Sequence, residues 1–245
     1  MKSFILIIPA RLNSSRLPNK PLLKINGKEV LKHVYDRCKL ACHKDKIVVA
    51  TPDKKIADFC DLNKIKFIMT SRKCLTGTDR VIEVSKIIKK DFYINVQGDE
   101  IFVSPKSIKK IINKTKFYSD KFVLNGFTAI KDEKQFRSTS VPKVVLDKKN
   151  FLMYISRGAI PLNKQNKKNQ YSMKQVCIYG YPYKLLSKIT LNKKSKIEKY
   201  EDIEILRFLE NDVKVKMIKT KGSEIAIDTK SDLLKAKRIL RYEKK

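Results

Sequence analysis

Apolar and polar positions along this chain repeat with two periods, and the switches between them mark out its elements. Phe4-Ile5-Leu6-Ile7-Ile8 is an unbroken apolar run bounded by Pro9, and it reads as a short strand buried on both faces, as in a parallel sheet covered by helices. Asn26-Gly27-Lys28 is a turn, after which Val30, Leu31, Val34, Tyr35 and Cys38 recur at helical spacing. Lys46–Thr51 predicts a second strand, and Pro52-Asp53 opens a helix with Ile56, Ala57, Phe59 and Cys60 as its apolar positions. Phe67-Ile68-Met69 is a third strand. Thr76-Gly77-Thr78-Asp79-Arg80 leads into a helix carrying Val81, Ile82, Val84, Ile87 and Ile88. Phe92–Val96 is a fourth strand, ending in Gln97-Gly98-Asp99-Glu100. Repeated β-α-β units with short connections predict a parallel sheet with right-handed crossovers.

The second half changes character. Pro105 opens a helix with Ile108, Ile111 and Ile112 inward, and then Phe122–Ile130 and Val141–Leu146 read as longer strands with no helix between them. Residues 163–172 are a polar loop, and Cys177–Tyr181 returns as a strand. Glu201–Asn211 predicts an amphipathic helix, Val213–Ile218 a strand, and Asp232–Tyr242 a lysine-rich closing helix. With no internal repeat and no loose linker, the pattern predicts a single α/β domain over residues 1–245, a mostly parallel sheet with an inserted antiparallel layer.

Composition narrows what such a domain can be. At 245 residues and 42% apolar content the chain can bury a sizeable core. Its apolar runs fall far short of the roughly 20 residues that a membrane span needs. The short first run, ending in Pro9 and Arg11, makes a poor signal peptide, so a cytoplasmic protein with no membrane partner is expected. Five scattered cysteines without a C-x-x-C pair, and two histidines, argue against a disulfide framework or a zinc site. A formal charge of +31 raises nucleic acid as a partner. The lysines, however, are spread along the whole chain, and neither helix-turn-helix spacing, zinc-finger ligands nor an aromatic RNA-recognition strand accompanies them, so no specific nucleic acid is expected.

The loop after the first strand carries candidate chemistry. Arg11, Arg16 and Lys20, with Ser14 and Ser15 between them, follow the carboxyl end of a buried strand, which is the ligand edge of an open α/β sheet. Cations and hydroxyls there suit a polyphosphate; the same residues also suit a solvated basic loop. Asp99 closes the fourth strand and Asp228 closes Ile225-Ala226-Ile227. Either acid could cap a helix or turn. Together with a cationic loop they also make the parts of a nucleotidyl transfer, namely a metal holder and a phosphate clamp.

The ordered string Pro9-Ala10-Arg11, Ser14-x-Arg16-Leu17-Pro18-x-Lys20-Pro21-Leu22 resembles the nucleotide-binding signature of the sugar-acid cytidylyltransferases, in particular the CMP-Kdo synthetase family, where Kdo is 3-deoxy-manno-octulosonate. Val96-Gln97-Gly98-Asp99-Glu100 and Asp228-Thr229 resemble its two metal-bearing segments, and Thr76–Arg80 its Ser-Gly-Thr-x-Arg loop. Val144–Asp147, Ser156-Arg157 with Ile160-Pro161, Ile178–Tyr181, and Glu198-x-x-Glu201 with Glu204-x-Leu206-Arg207 follow in the family's order. The likeness spans nearly the whole chain.

That resemblance implies a Rossmann-like fold of the nucleotide-diphospho-sugar transferase type, with a nucleotide-binding half near 1–115, a sugar-binding and dimerisation insert near 120–195 and a closing segment near 196–245. It implies a homodimer using CTP, a sugar acid and Mg²⁺. Asp99 and Asp228 would hold the metal and, with Lys20 and Arg11, form the catalytic set. Ala10, Arg11, Arg16, Lys20, Thr76, Gly77, Thr78, Arg80 and Gln97 would seat the nucleotide. Arg157 would grip the sugar carboxylate, although alone it also reads as a surface ion pair, and Gln175, Tyr179, Glu204 and Ile205 would meet the sugar. Gln175 and Ile205 stand where the family usually has His and Gln, and Cys74 where His is common. The first two departures bear on which sugar acid is used, because a site built to hydrogen-bond a hydroxyl rejects analogues that lack it.

Overall fold

The computed structural model describes residues 2–13, 17–118, 120–164, 172–221, 227 and 230–242. Arg16, Asp228 and most of the polar loop expected over residues 163–172 therefore lie outside the described residues.

β1 (Phe4–Pro9) is buried along its whole length and lies at the centre of the sheet, as its continuous apolar run requires. β2 (Lys24–Ile25) and β3 (Lys28–Glu29) form a small hairpin before α1 (Val30–Lys39). β4 (Ile47–Thr51), α2 (Lys54–Leu62), β5 (Phe67–Met69), α3 (Gly77–Ile87), β6 (Phe92–Val96) and α4 (Pro105–Tyr118) follow as the apolar periods predict. Then come β7 (Val123–Ala129), α5 (Glu133–Arg137), β8 (Lys143–Leu146), β9 (Leu152–Ser156), β10 (Met173–Pro182), α6 (Tyr183–Leu186), α7 (Lys196–Glu201), α8 (Leu206–Leu209), β11 (Val215–Lys219) and α9 (Lys230–Tyr242).

The main sheet runs β11-β7-β10-β6-β1-β4-β5, with the β8–β9 pair attached to β10. β1, β4, β5 and β6 are mutually parallel, and β10 runs antiparallel to β6, β7 and β8. Odd and even residues of β1 enter different cores. Phe4, Leu6 and Ile8 pack with α1, α2, α4 and α9 on one face, while Ile5 and Ile7 join the side of α3. Each such apolar side chain contributes about 1.5–3 kcal/mol on burial.

β10 positions the site. Its residues Ile178–Pro182 pair with β6, whereas Met173 and Lys174, beyond the end of β6, pair with Val144 and Lys143 of β8. The antiparallel pair therefore stands beyond the carboxyl edge of the parallel strands and can wall a cleft there. A register shift between Val176 and Tyr179 interrupts β10. The buried Asn125 amide fills that interruption, its Nδ2 donating to the Val176 and Ile178 carbonyls at 3.1 and 3.0 Å.

Two expectations need correction. The stretch 201–211 is not one helix: Asp202 adopts a left-handed φ of 49° and ends α7, so a turn separates it from α8. Between β7 and the next strand a short helix, α5, does form, its N-terminus capped by Asp132 through the Gln135 N–H at 2.7 Å.

Candidate active site

A cleft of about 540 Å³ opens at the carboxyl edge of β1 and β6. Its floor is set by the loop after β1. The Leu12 N–H donates to Asp53 Oδ2 at 2.8 Å, and the Asn19 N–H returns to the Leu12 carbonyl at 3.1 Å. Asn19 holds a left-handed φ of 56° and starts the 3-10 turn Lys20–Leu22, and the loop closes with Lys20 Nζ 2.6 Å from Asp99 Oδ2. Gly98 lets the strand end come this close: a Cβ there would lie 2.6 Å from the Pro9 carbonyl oxygen. The Ile227 N–H donates to the Asp99 carbonyl at 3.2 Å.

The Thr76–Arg80 turn forms a second side. Thr76 and Asp79 make a reciprocal capping box that starts α3. The carboxylate of Glu204 lies on the same helix terminus. It accepts from the Gly77 N–H at 3.1 Å, the Thr78 N–H at 2.6 Å, Thr78 Oγ1 at 2.6 Å and Gln97 Nε2 at 3.4 Å, an anion where unpaired N–H groups and the helix dipole favour one. Arg80 is almost fully buried; its guanidinium donates to Thr70 Oγ1 at 2.8 Å and to the Ser71 and Cys74 carbonyls, and burial lowers its pKa from the ordinary value. Arg11 remains exposed, with Nη1 3.3 Å from the Leu75 carbonyl.

β9 and the turn after α7 supply the far wall. Ser156 Oγ and the Arg157 N–H donate to the two oxygens of Glu201 at 2.6 and 2.8 Å. The Arg157 side chain donates from Nε to the Glu201 carbonyl at 2.6 Å, from Nη1 to that of Thr139 at 3.0 Å and from Nη2 to that of Asp202 at 3.0 Å. Nη2 also lies 4.0 Å from Asp202 Oδ2, and the guanidinium lines the cleft, where its positive charge can attract a carboxylate. Lys143, fully buried, ties this wall together by donating to the Ser138 and Arg157 carbonyls. Burial lowers its pKa, and the nearby Arg157 charge adds to the effect.

Of the residues expected to meet the nucleotide, Ala10, Arg11, Lys20, Thr76, Gly77, Arg80 and Gln97 line one cleft together with Asp99, and Arg157 and Glu204 line it from the sugar side. Thr78 is buried beneath it. Gln175, Tyr179 and Ile205 do not line it. Gln175 donates to Asn125 Oδ1 at 2.8 Å inside the sheet, Tyr179 stacks on Tyr181 with ring centroids 5.7 Å apart, and Ile205 is fully buried in the core. The placement corrects the expectation that these three side chains present themselves to a sugar. Glu204 is likewise not on a helix face; it precedes α8 and faces the terminus of α3. Sequence reasoning passed over Lys194 and Asp202, paired at 2.8 Å on the cleft wall. Nothing distinguishes that lysine from the many others, and Asp202 falls inside a stretch whose apolar pattern reads as one helix.

A parallel sheet whose carboxyl edge brings together a basic loop, a strand-end carboxylate and a capped glycine turn is the arrangement of an α/β nucleotidyltransferase. Comparison with known proteins narrows that class. The family model described as cytidylyltransferase matches residues 5–218, and the chain belongs to the cytidylyltransferase family. It is 35% identical to the 3-deoxy-manno-octulosonate cytidylyltransferase of Thermodesulfovibrio yellowstonii, over 96% of this chain and 97% of that protein. It is 34% identical to the 8-amino-3,8-dideoxy-manno-octulosonate cytidylyltransferase of Shewanella pealeana, over 93% of this chain and 94% of that protein. A solved structure of CMP:2-keto-3-deoxy-manno-octonic acid synthetase complexed with CTP is similar at a TM-score of 0.89 and 30% identity, covering 98% of this chain and 99% of that one.

Proposed function

We propose that this chain transfers CMP from CTP to the anomeric hydroxyl of 3-deoxy-manno-octulosonate. The hydroxyl oxygen bonds to the α-phosphorus and gives up its proton to solvent, the bond from that phosphorus to the bridging β-phosphate oxygen breaks, and pyrophosphate leaves. The observation that carries the proposal is that Lys20, Arg11 and Asp99 share one cleft with the Arg157 fork, so a triphosphate clamp and a carboxylate receptor face the same space. Lys20 and Arg11 offset the triphosphate charge, and Arg16 joins them. Thr76, Gly77 and Gln97 seat the nucleoside. Arg157 binds the carboxylate of the acid and so aims its anomeric carbon at the α-phosphate.

Asp99 suits Mg²⁺. It is a hard oxygen donor reaching into a cleft that would hold phosphates, and Mg²⁺ is usually bound by one or two carboxylates plus phosphate and water oxygens, so a cluster of three or more acids is not needed. Asp99 and Asp228, the residue after the Ile227 that bonds to Asp99, would hold it. Bound there, Mg²⁺ supplies neutralisation of phosphate charge and acidification of the attacking hydroxyl. A homodimer is part of the same proposal, supported by the exposed apolar residues Met153 on β9 and Tyr200 on α7, elements of the sugar-side wall.

The Shewanella pealeana relative motivates a second acid, 8-amino-3,8-dideoxy-manno-octulosonate. Because Gln175 and Ile205 lie off the cleft, their departures from the family pattern do not by themselves argue for an altered sugar. Titration of the protein with CTP, UTP and dTTP in a calorimeter, with and without Mg²⁺, tests the nucleotide half. CTP should bind at least tenfold more tightly than the other two, and equal affinity for all three would refute a cytidine site.

A further inference from the structure

Arg207, on α8, is 2% exposed and does not line the cleft, yet it joins the two walls that do. Its Nε and Nη2 grip both oxygens of Glu198 at 2.8 Å each, and Nη1 donates to Asp79 Oδ1 at 2.7 Å. Asp79 in turn accepts from the N–H groups of Leu75 and Thr76 at 3.0 and 2.9 Å on one oxygen and from the Asn192 N–H at 3.2 Å on the other. Glu198 accepts from the Ser195 N–H at 3.0 Å. One guanidinium thus fixes the turn that presents Thr76 and Gly77, the segment that carries Lys194, and the approach to Glu204.

We infer that Arg207 is a positioning residue: its fork sets the distance between the nucleotide turn and the sugar-side wall, so that loosening it weakens both substrates together without touching either. A buried triad of this kind is a poor device for stability alone. Desolvating three charged groups offsets most of their attraction, and neutral replacements of similar volume are often tolerated or even stabilising. Two acids against one arginine also leave the cluster with a surplus negative charge, which backbone N–H groups must satisfy. Geometry is what the arrangement delivers.

The affinity part of this inference rests on the proposed function; the spacing part does not. Two variants test it. Arg207→Lys keeps the charge and loses the fork. The triple variant Asp79→Asn, Glu198→Gln, Arg207→Met removes all three charges. In the ligand-free protein, hydrogen exchange should speed at the Leu75–Thr78 amides and across residues 195–209 in the same variant. With substrates, KM for CTP and KM for the sugar acid should each rise tenfold or more, while kcat stays within about threefold, because Lys20 and Asp99 are not held by this network and Arg11 meets it only through the Leu75 carbonyl. A wild-type protein that binds no CTP would refute the reading of the site. Unchanged exchange at Leu75–Thr78, or both KM values within twofold of wild type in a folded variant, would overturn the role of Arg207. Loss of cooperative unfolding in both variants would overturn it as well, since the network would then be a core element without which the chain cannot fold.

Discussion

Glu204 offers the sharpest single perturbation of the cleft, because its half-buried carboxylate takes four donors on two oxygens. Oε1 accepts from the Gly77 N–H and Gln97 Nε2, and Oε2 accepts from the Thr78 N–H and Thr78 Oγ1. Glu204→Gln keeps the shape but presents an NH₂ group to one of those pairs. The Thr78 hydroxyl can turn and accept from that amide, since Tyr181 Oη lies 3.2 Å away as another partner; the backbone N–H groups cannot. About one to two hydrogen bonds to a charged group are lost, at about 1.5–3 kcal/mol each. The compensated dipole of α3 adds about 0.3–1 kcal/mol. Water entering from the open cleft recovers part, which leaves about 2–3 kcal/mol. For a chain of this size that is a fall in Tm of roughly 5–10 °C at 2–4 °C per kcal/mol. Because Thr76 and Gly77 line the cleft, KM for CTP should also rise roughly tenfold, about 1.4 kcal/mol. Urea unfolding and steady-state kinetics on the same preparation check both. Stability within 0.5 kcal/mol of wild type would show that the carboxylate does not hold the helix terminus, and the argument for the turn would fail with it.

Gly98→Ala should cost about 1–3 kcal/mol of overpacking and lower kcat/KM at least tenfold, since the added methyl would meet the Pro9 carbonyl at 2.6 Å and must push Asp99 out of place; wild-type kinetics would contradict the close approach. Asp99→Asn should change stability by less than about 1 kcal/mol, as a partly exposed pair with Lys20 is worth little. Its turnover should collapse at every Mg²⁺ concentration, and metal chelation should silence the wild type. Burial pushes the Cys42 thiol up to about 11 and those of Cys60 and Cys74 to about 12. A thiol reagent at pH 8 therefore meets protonated groups; these cysteines should react slowly until urea unfolds the chain, and rapid labelling of the native protein would contradict their burial. Gln175→His should leave KM for the sugar acid unchanged while lowering Tm, because it breaks the bond to Asn125; a changed acid preference with unchanged Tm would put this side chain back in the pocket.

The first half of the fold was legible because each element carries a clean period: β1 is apolar throughout and buried throughout, and the Thr76–Arg80 motif starts α3. The elements that escaped lack such a period. β9 has Met153 and Tyr154 exposed side by side, so alternation never signals a strand. The helix expected over 201–211 is divided by a left-handed Asp202 that pattern alone does not forbid. At the site, Asp99 could be matched because it follows the end of a recognisable strand, and Lys20 because it belongs to the ordered string after the first strand. Gln175 could not be placed, since the register shift in β10 breaks the two-residue period that would assign its face. Asp79 is far in sequence from Glu198 and Arg207, and only the packed chain brings it within hydrogen-bond distance of the arginine.

The most direct measurement is phosphorus NMR of the purified protein with CTP, Mg²⁺ and 3-deoxy-manno-octulosonate. The proposed reaction predicts that CTP is consumed only when the acid is present, yielding pyrophosphate and a new phosphodiester resonance in equal amounts. CTP left intact with this acid and with its 8-amino analogue, or broken down to CMP without the phosphodiester, would contradict it.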